Sequence, residues 1–289
     1  MGTDYREPYI RPCGANRVST PTRPSFEFPS SVTIDLVLAP NPGPFTGPGT
    51  NTWVASSAGS AVVVDPGPID ESHMSAILAA VAGLDPCAVL VTHTHPDHAP
   101  AANPVARELG VPALARSAGP EFDPDDLVVD GDTIAVGASS LEVVATPGHT
   151  PDSTSYLFET ALFTGDHVMG GSTVIVDDMS AYLTSLRRVA GLDIEAIHPG
   201  HGPVITEPAG VVAAYVDHRL LRERQILAAV TEGATTVGAV VEAVYRDVDP
   251  ALHRAAASNV IAHLRRLAEL DEVAALPDGA SWATEVVTT

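Results

Sequence analysis

The segment Thr92-His93-Thr94-His95-Pro96-Asp97-His98 constrains this chain more than any other. It follows the apolar run CAVLVT at 87–92, whose composition is that of a buried strand. Residues two apart on an extended segment point the same way, so His93 and His95 can converge on one ion. Asp97 and His98 then turn into the next helix and can face a second. Imidazole and carboxylate are ligands that suit Zn²⁺ and related divalent metals. The bland alternative is three incidental surface histidines, but such clustering at a strand end has few other physical uses.

Further candidates stand at strand ends in the same style. His149 follows the strand LEVVAT, Asp166 follows ALFTG, and His201 follows IEAI. Each lies at or beside a glycine, which lets the backbone turn sharply at the strand end. One such residue alone is more often a hydrogen-bonded structural histidine. Several of them at the same end of their strands form a joint signal, because α/β proteins place their sites there.

The surrounding pattern gives the fold class. Alternating VTIDLVLA at 32–39 and apolar SAVVVDPG at 60–67 read as strands, and Met74, Ile77, Leu78 and Val81 mark a helix over 71–83. A helix follows the histidine segment up to Leu109, short strands dominate 127–176, and a helix over 179–190 precedes a strand at 194–198. This alternation is α/β with mixed sheets. After residue 206 the character changes. Helices are expected at about 207–232, 235–246 and 251–270. EVAAL and SWATEV then flank the turn Pro277-Asp278-Gly279, a hairpin signal. Three helices and a hairpin is a winged-helix layout, which serves nucleic-acid binding or plain packing about equally often. The expected division is an irregular Pro/Arg/Ser-rich arm over 1–30, the α/β domain over 31–206 and a helical, winged-helix-like domain over 207–289.

Charge limits the partners. The net charge is −21, and all 15 basic residues are arginine. So acidic a surface discourages nucleic-acid binding, although two divalent cations would reverse the sign locally. Nine of the arginines fall after residue 186, among them Arg219, Arg222, Arg224, Arg265 and Arg266. A solvated helix face is the commoner reason for such a set. No apolar run is long enough to span a membrane, and the N-terminus lacks the apolar core of a secretory signal. Only Cys13 and Cys87 are present, and a structural disulfide is not the default reading of that pair, so a reduced, cytoplasmic compartment is expected.

Taken in order, HxHxDH, a lone His, an Asp and a final His resemble the metallo-β-lactamase superfamily. The resemblance implies an αββα sandwich. His93, His95 and His149 would hold one metal. Asp97, His98 and His201 would hold the other, and Asp166 would bridge both. Asp65, in VVVDPG, matches an aspartate that supports the site from behind. A narrower likeness rests on GTNTWV at 49–54, FTGDHVMGGSTVIVDDMSAYLTSL at 163–186, HPGHGPVI at 198–205 and YVDHRLLRERQIL at 215–227. These are similar to the β-lactamase-like protein 2 group, whose members carry a C-terminal winged-helix-like domain and some of which cleave single-stranded RNA. One departure is Ala99-Pro100 after the histidine segment, where relatives carry a small residue and glycines. Proline is tolerated in a first helical turn, so a shifted loop is expected, with the metal site kept.

The implied cofactors are two divalent ions, Zn²⁺ first among them. The implied chemistry is hydrolysis by a metal-bridging hydroxide, with Asp97 orienting it or taking a proton. Thr50 and Asn51 are candidates to line the pocket, against the simpler reading of a turn. For substrate, single-stranded RNA is favoured by the group resemblance, and a glyoxalase II-like thioester is the nearest rival. Promiscuous β-lactam turnover is a lesser option. A nucleic-acid-binding regulator with a retired hydrolase domain is opposed by the complete ligand set, and an iron redox role would need a carrier domain. No membrane partner is expected, and a homo-oligomer is compatible with the sequence.

Overall fold

The computed structural model describes residues 10–11, 32–170 and 174–288, and these fall into two compact units. The first comprises the described residues through Ala145, Asp152–Ser172 and Ile194–Thr206; the second comprises Thr146–Pro151, Thr173–Asp193 and the chain from Glu207 onward. Most of the 1–30 arm lies outside the described residues. Within it, Ile10–Arg11 forms a short strand, β1, where irregular chain was expected.

The first unit holds two six-stranded sheets. One contains β2 (Val32–Leu38), β3 (Asn51–Ser57), β4 (Ser60–Val64), β5 (Asp85–Leu90), β6 (Ala113–Ala115) and β7 (Asp126–Leu127), neighbouring in that order. The helices α1 (Glu71–Ala80) and α2 (Ala102–Leu109) connect β4 to β5 and β5 to β6, and both connections join parallel strands. The other sheet runs β1, β8 (Thr133–Val136), β9 (Ser139–Ala145), β10 (Thr154–Phe158), β11 (Ala161–Gly165), β12 (Ala196–Pro199). Period-two alternation sorts the side chains. Trp53, Ala55, Val62, Val64 and Leu90 meet Ile134, Leu141, Val143, Tyr156 and Phe163 in one core between the sheets. Val54, Val63, Val89 and Val91 point the other way, onto Ile77 of α1 and Val105 of α2. Strands covered on both faces read as continuous apolar runs, which is why 60–64 and 87–92 stand out in the sequence.

Local signals set the helix ends. Asp70 caps α1 by accepting from the His73 N–H, and Gly110, at φ 69°, ends α2. Because α2 begins at Ala102, Pro100 sits before the helix. The loop is tied to the strand end after β4, where Gly67 N–H donates to the His98 carbonyl and Ala101 N–H to the Gly67 carbonyl.

The second unit is helical, with α3 (Met179–Ala190), α4 (Pro208–Thr231), α5 (Val237–Val244) and α6 (His253–Glu269). Ile226, Val237, Val240, Val241, Val260 and Leu264 form the core of the last three. The expected hairpin is reduced to isolated bridges, Val273 with Thr288 and Thr236 with Glu285. Trp282 lies over Gly238, where a Cβ would stand 2.3 Å from the indole nitrogen. The segment after the turn therefore pairs with the start of α5 as well as with its hairpin partner.

Among the described residues no helix is long and apolar enough to cross a membrane. Cys87 stands in a disulfide, which corrects the expectation that the cysteines are unpaired; Cys13 lies outside the described residues. Cysteine usage therefore no longer argues for a reducing compartment.

Candidate metal centre

The first unit brings the strand-end residues after β4, β5, β11 and β12 to one place. His93, His98 and Asp166 bring ligand atoms within 4.8 Å of one another, and so do Asp97, His98 and His201. The Nε2 atoms of His98 and His201 are 3.3 Å apart. Asp97 Oδ2 lies 3.1 Å from His201 Nε2 and 3.6 Å from His98 Nε2. Asp166 Oδ1 lies 3.4 Å and 3.5 Å from the same two atoms.

The hydrogen-bond partners assign the imidazole protons. His98 Nδ1 is 2.9 Å from Asp65 Oδ2, and His201 Nδ1 is 3.2 Å from the Gly49 carbonyl. Both partners accept, so both Nδ1 atoms carry a proton and a neutral ring then presents its Nε2 lone pair inward. With both rings neutral, two lone pairs and two carboxylates would face each other, and positive charge, carried by protons on the rings or by a metal ion, is needed to reconcile them. Ligand atoms about 2.0–2.2 Å from a tetrahedral ion stand roughly 3.3–3.6 Å apart, close to the separations found here. The donor set therefore fits a divalent metal.

The same demand for positive charge appears in the acidities. Burial opposes a charge on His98, yet the Asp166 and Asp65 carboxylates outweigh it and hold the imidazole well above its usual range. Burial likewise opposes ionisation of Asp97, but the His201 hydrogen bond and the His98 charge keep it below the usual carboxylate range.

His93 is oriented by a relay. Thr92 Oγ1 donates to Asp65 Oδ2 at 2.7 Å, so it accepts from His93 Nδ1 at 3.1 Å. His93 Nε2 then faces His95 Nδ1 at 3.1 Å. Asp65 is the hub: it also accepts the Thr92 backbone N–H at 2.7 Å, and its own backbone is left-handed, at φ 52°. His149 belongs to the second unit, where its Nδ1 donates to the Ile175 carbonyl at 2.6 Å, which leaves Nε2 as the lone-pair nitrogen of the neutral ring.

Thr50 and Asn51 are both buried. Thr50 Oγ1 accepts from the Asn41 amide. Asn51 Nδ2 donates to the Pro199 carbonyl at 3.0 Å and to the Gly202 carbonyl at 2.8 Å, and its backbone N–H donates to Gly200. Asn51 thus brackets the His201 loop from the opposite sheet. Gly200 was legible only as a turn residue, yet its importance is space: a Cβ there would stand 2.6 Å from His98 Cε1 and 2.7 Å from Asp166 Oδ1. His198 is no part of the cluster. Its ring packs edge-on against Trp53, with centroids 4.7 Å apart, and burial pushes it down to about 4.

A two-sheet α/β unit with a His/Asp cluster at its strand ends defines a metallohydrolase class. Residues 45–201 match the Metallo-beta-lactamase superfamily, and residues 236–282 match the Beta-lactamase associated winged helix domain. The chain belongs to the metallo-beta-lactamase superfamily and is a hydrolase of that fold with a C-terminal winged-helix domain. It is 33% identical over 246 residues to a Beta-lactamase-like protein 2 homolog of Caenorhabditis elegans, covering 81% of this chain and 83% of that protein. It is 34% identical over 234 residues to an Atrochrysone carboxyl ACP thioesterase of Aspergillus chevalieri, covering 73% of each. In fold it is similar to a metallo-beta-lactamase family protein from Thermus thermophilus, with a TM-score of 0.73 at 20% identity over 89% of this chain and 98% of that one.

Proposed function

We propose that this chain is a two-ion metallohydrolase acting on thioesters. His93, His95 and His149 would hold one ion, Asp97, His98 and His201 the other, and Asp166 would bridge them. A nitrogen-rich, oxygen-completed ligand set favours Zn²⁺. Bound ions of this kind polarise a carbonyl and bring the pKa of a water towards neutrality. The chain's own residues do the rest. Asp97, whose side chain is 27% exposed, is the more open of the two carboxylates and, held ionised, is the group to orient a water by accepting its hydrogen bond. Asp65 fixes the ring orientation of His98, and Asn51 fixes the loop that carries His201.

The observation that carries the substrate class is the fate of the C-terminal arginines. A phosphodiester reading needs them on the surface. Arg219 is buried and donates to the Val174 carbonyl, Arg222 donates to the Val244 carbonyl and stacks on Tyr245, and Arg266 pairs with Glu223. Of the five arginines singled out in the sequence, only Arg224 and Arg265 are exposed. Arg187, Arg188, Arg246 and Arg254 are exposed as well, but a net charge of −21 disfavours a polyanion, and the relative named a thioesterase is about as similar as the beta-lactamase-like protein 2 homolog. Single-stranded RNA is the second reading, favoured by the winged-helix match and the β-lactamase-like protein 2 relative.

The test is a parallel screen of the zinc-loaded protein on acyl-pantetheine and S-lactoylglutathione-type thioesters, labelled single-stranded RNA and a chromogenic β-lactam. Thioester turnover that is lost, together with bound metal, in Asp166→Ala is expected. Chelator-sensitive RNA cleavage without thioester turnover would replace this reading with the second.

A further inference from the structure

Two polar side chains of the helical unit are buried where apolar ones would pack at lower cost. Arg219 of α4 is 2% exposed and Asn259 of α6 is 6% exposed. Taking a guanidinium out of water is strongly unfavourable unless it is well paired. Both side chains converge on one strap of backbone. Arg219 Nη2 donates to the Val174 carbonyl at 2.6 Å, and its guanidinium lies over the Tyr182 ring, 5.2 Å from the centroid. Asn259 Nδ2 donates to the same carbonyl at 3.2 Å, while Asn259 Oδ1 accepts the Val176 N–H at 2.9 Å. The peptide groups on either side of Ile175 are therefore held.

The residue between them contacts a candidate ligand. The Ile175 carbonyl accepts from His149 Nδ1 at 2.6 Å. The strap closes on the same loop a second time, because the Asp177 and Asp178 N–H groups both donate to the Gly148 carbonyl, at 2.9 and 3.0 Å. Ser185 Oγ holds the Pro147 carbonyl at 2.8 Å. Gly148 itself has φ +137° and lies so close to Tyr182 that a Cβ would meet its Cα at 2.4 Å, so the loop cannot easily shift.

We propose that Arg219 and Asn259 are positioning residues for His149. They fix the 174–176 strap so that the Ile175 carbonyl sets the tautomer and ring direction of His149, and with them the aim of Nε2 at a metal ion. A carbonyl that accepts from the far nitrogen of a ligating imidazole orients the ring and raises its basicity. The inference rests on the reading of His149 as a ligand, and it gives α4 and α6 a task in metal binding that their apolar core does not require.

The experiment measures Zn²⁺ affinity by competition with a chromogenic chelator, and the visible spectrum of the Co²⁺-loaded full-length protein. The variants are Arg219→Met, Asn259→Ala, Arg219→Lys, His149→Ala and, as a control in the same helical core, Val241→Ala. Arg219→Met and Asn259→Ala are expected to bind one ion about tenfold more weakly, with an altered Co²⁺ spectrum. Arg219→Lys should recover most of the affinity, and Val241→Ala should lose thermal stability with affinity and spectrum unchanged. If Arg219→Met and Asn259→Ala match the control in metal binding, the relay is wrong while His149 can still be a ligand. If His149→Ala binds both ions as the parent does, the ligand assignment itself falls, and the relay with it. Should the truncations not fold, Asn259→Asp keeps the acceptor for Val176 and removes the donor for Val174. An unchanged metal affinity in that variant would also overturn the proposal.

Discussion

The strand-end cluster of the first unit and the polar clamp of the second both bury groups that resist burial, by opposite means. Around His98 and His201, lone pairs and carboxylates face one another, and the set is reconciled only by added positive charge. Around Arg219 and Asn259, donors meet the Val174 carbonyl and an acceptor meets the Val176 N–H, while Arg219 Nε is buried without a partner among the described residues. The first arrangement is a site because it is electrostatically incomplete. The second is a brace because its hydrogen bonds close within the chain. Substitutions should therefore separate metal binding from stability differently in the two regions.

The largest effect is expected from Asp65→Ala. It removes the acceptor for Thr92 N–H, Thr92 Oγ1 and His98 Nδ1, three donors buried at the foot of the cluster. Denaturant unfolding should show a loss of about 3–5 kcal/mol, the cost typical of breaking a buried charged pair. Metal affinity should fall at least about tenfold alongside it. Unchanged metal affinity would mean that Asp65 serves the fold alone. A smaller and purely structural effect is expected from Val241→Ala in the core of the helical unit. The lost burial and the cavity should cost about 2 kcal/mol in unfolding, with metal stoichiometry unaltered. Loss of metal in that variant would blur the comparison, since packing alone would then reach the site.

The smallest effect concerns pH. The folded protein holds His198 at about 4, below the ordinary imidazole value of 6.5, because burial disfavours its charge. Above 6.5 the ring is neutral in both folded and unfolded chains and contributes no pH dependence. As pH falls from 6.5 towards about 4, the unfolded chain takes up a proton that the folded one refuses, and stability declines. In His198→Phe, which keeps a ring against Trp53 and Phe163, that part of the decline should vanish from urea midpoints measured across this window. An identical slope in both proteins would assign the acid sensitivity to other groups.

Much of the site was legible because its signal is local. A histidine or aspartate just beyond an apolar strand needs only the strand to place it, and the residues gathered at the strand ends of the first unit all carry that mark. The helices at 179–190, 208–231 and 253–269 were legible for the same reason, since a period near 3.6 is written in adjacent residues. Asn51 was legible only as a turn or a pocket residue, because the carbonyls it holds lie 148 and 151 positions away. The C-terminal arginines suggested an exposed basic face, and helical spacing could not show that three of them turn inward. The hairpin signal around Pro277-Asp278-Gly279 was sound chemistry for a turn. Whether the flanking segments pair with each other or with α5 depends on Gly238 making room for Trp282.

The sequence by itself determined the strand and helix periodicity, the identities of the candidate ligands and the acidic character of the chain, because each depends on residue type and short spacing. Only the tertiary structure decided which imidazole nitrogen faces inward, which carboxylate serves as the hub, and which arginines remain on the surface. Those choices turn on hydrogen bonds between residues 27 to 152 positions apart, such as Thr92 with Asp65 and His201 with Gly49. A donor or acceptor written in the sequence acquires its role only when folding supplies its partner and excludes water.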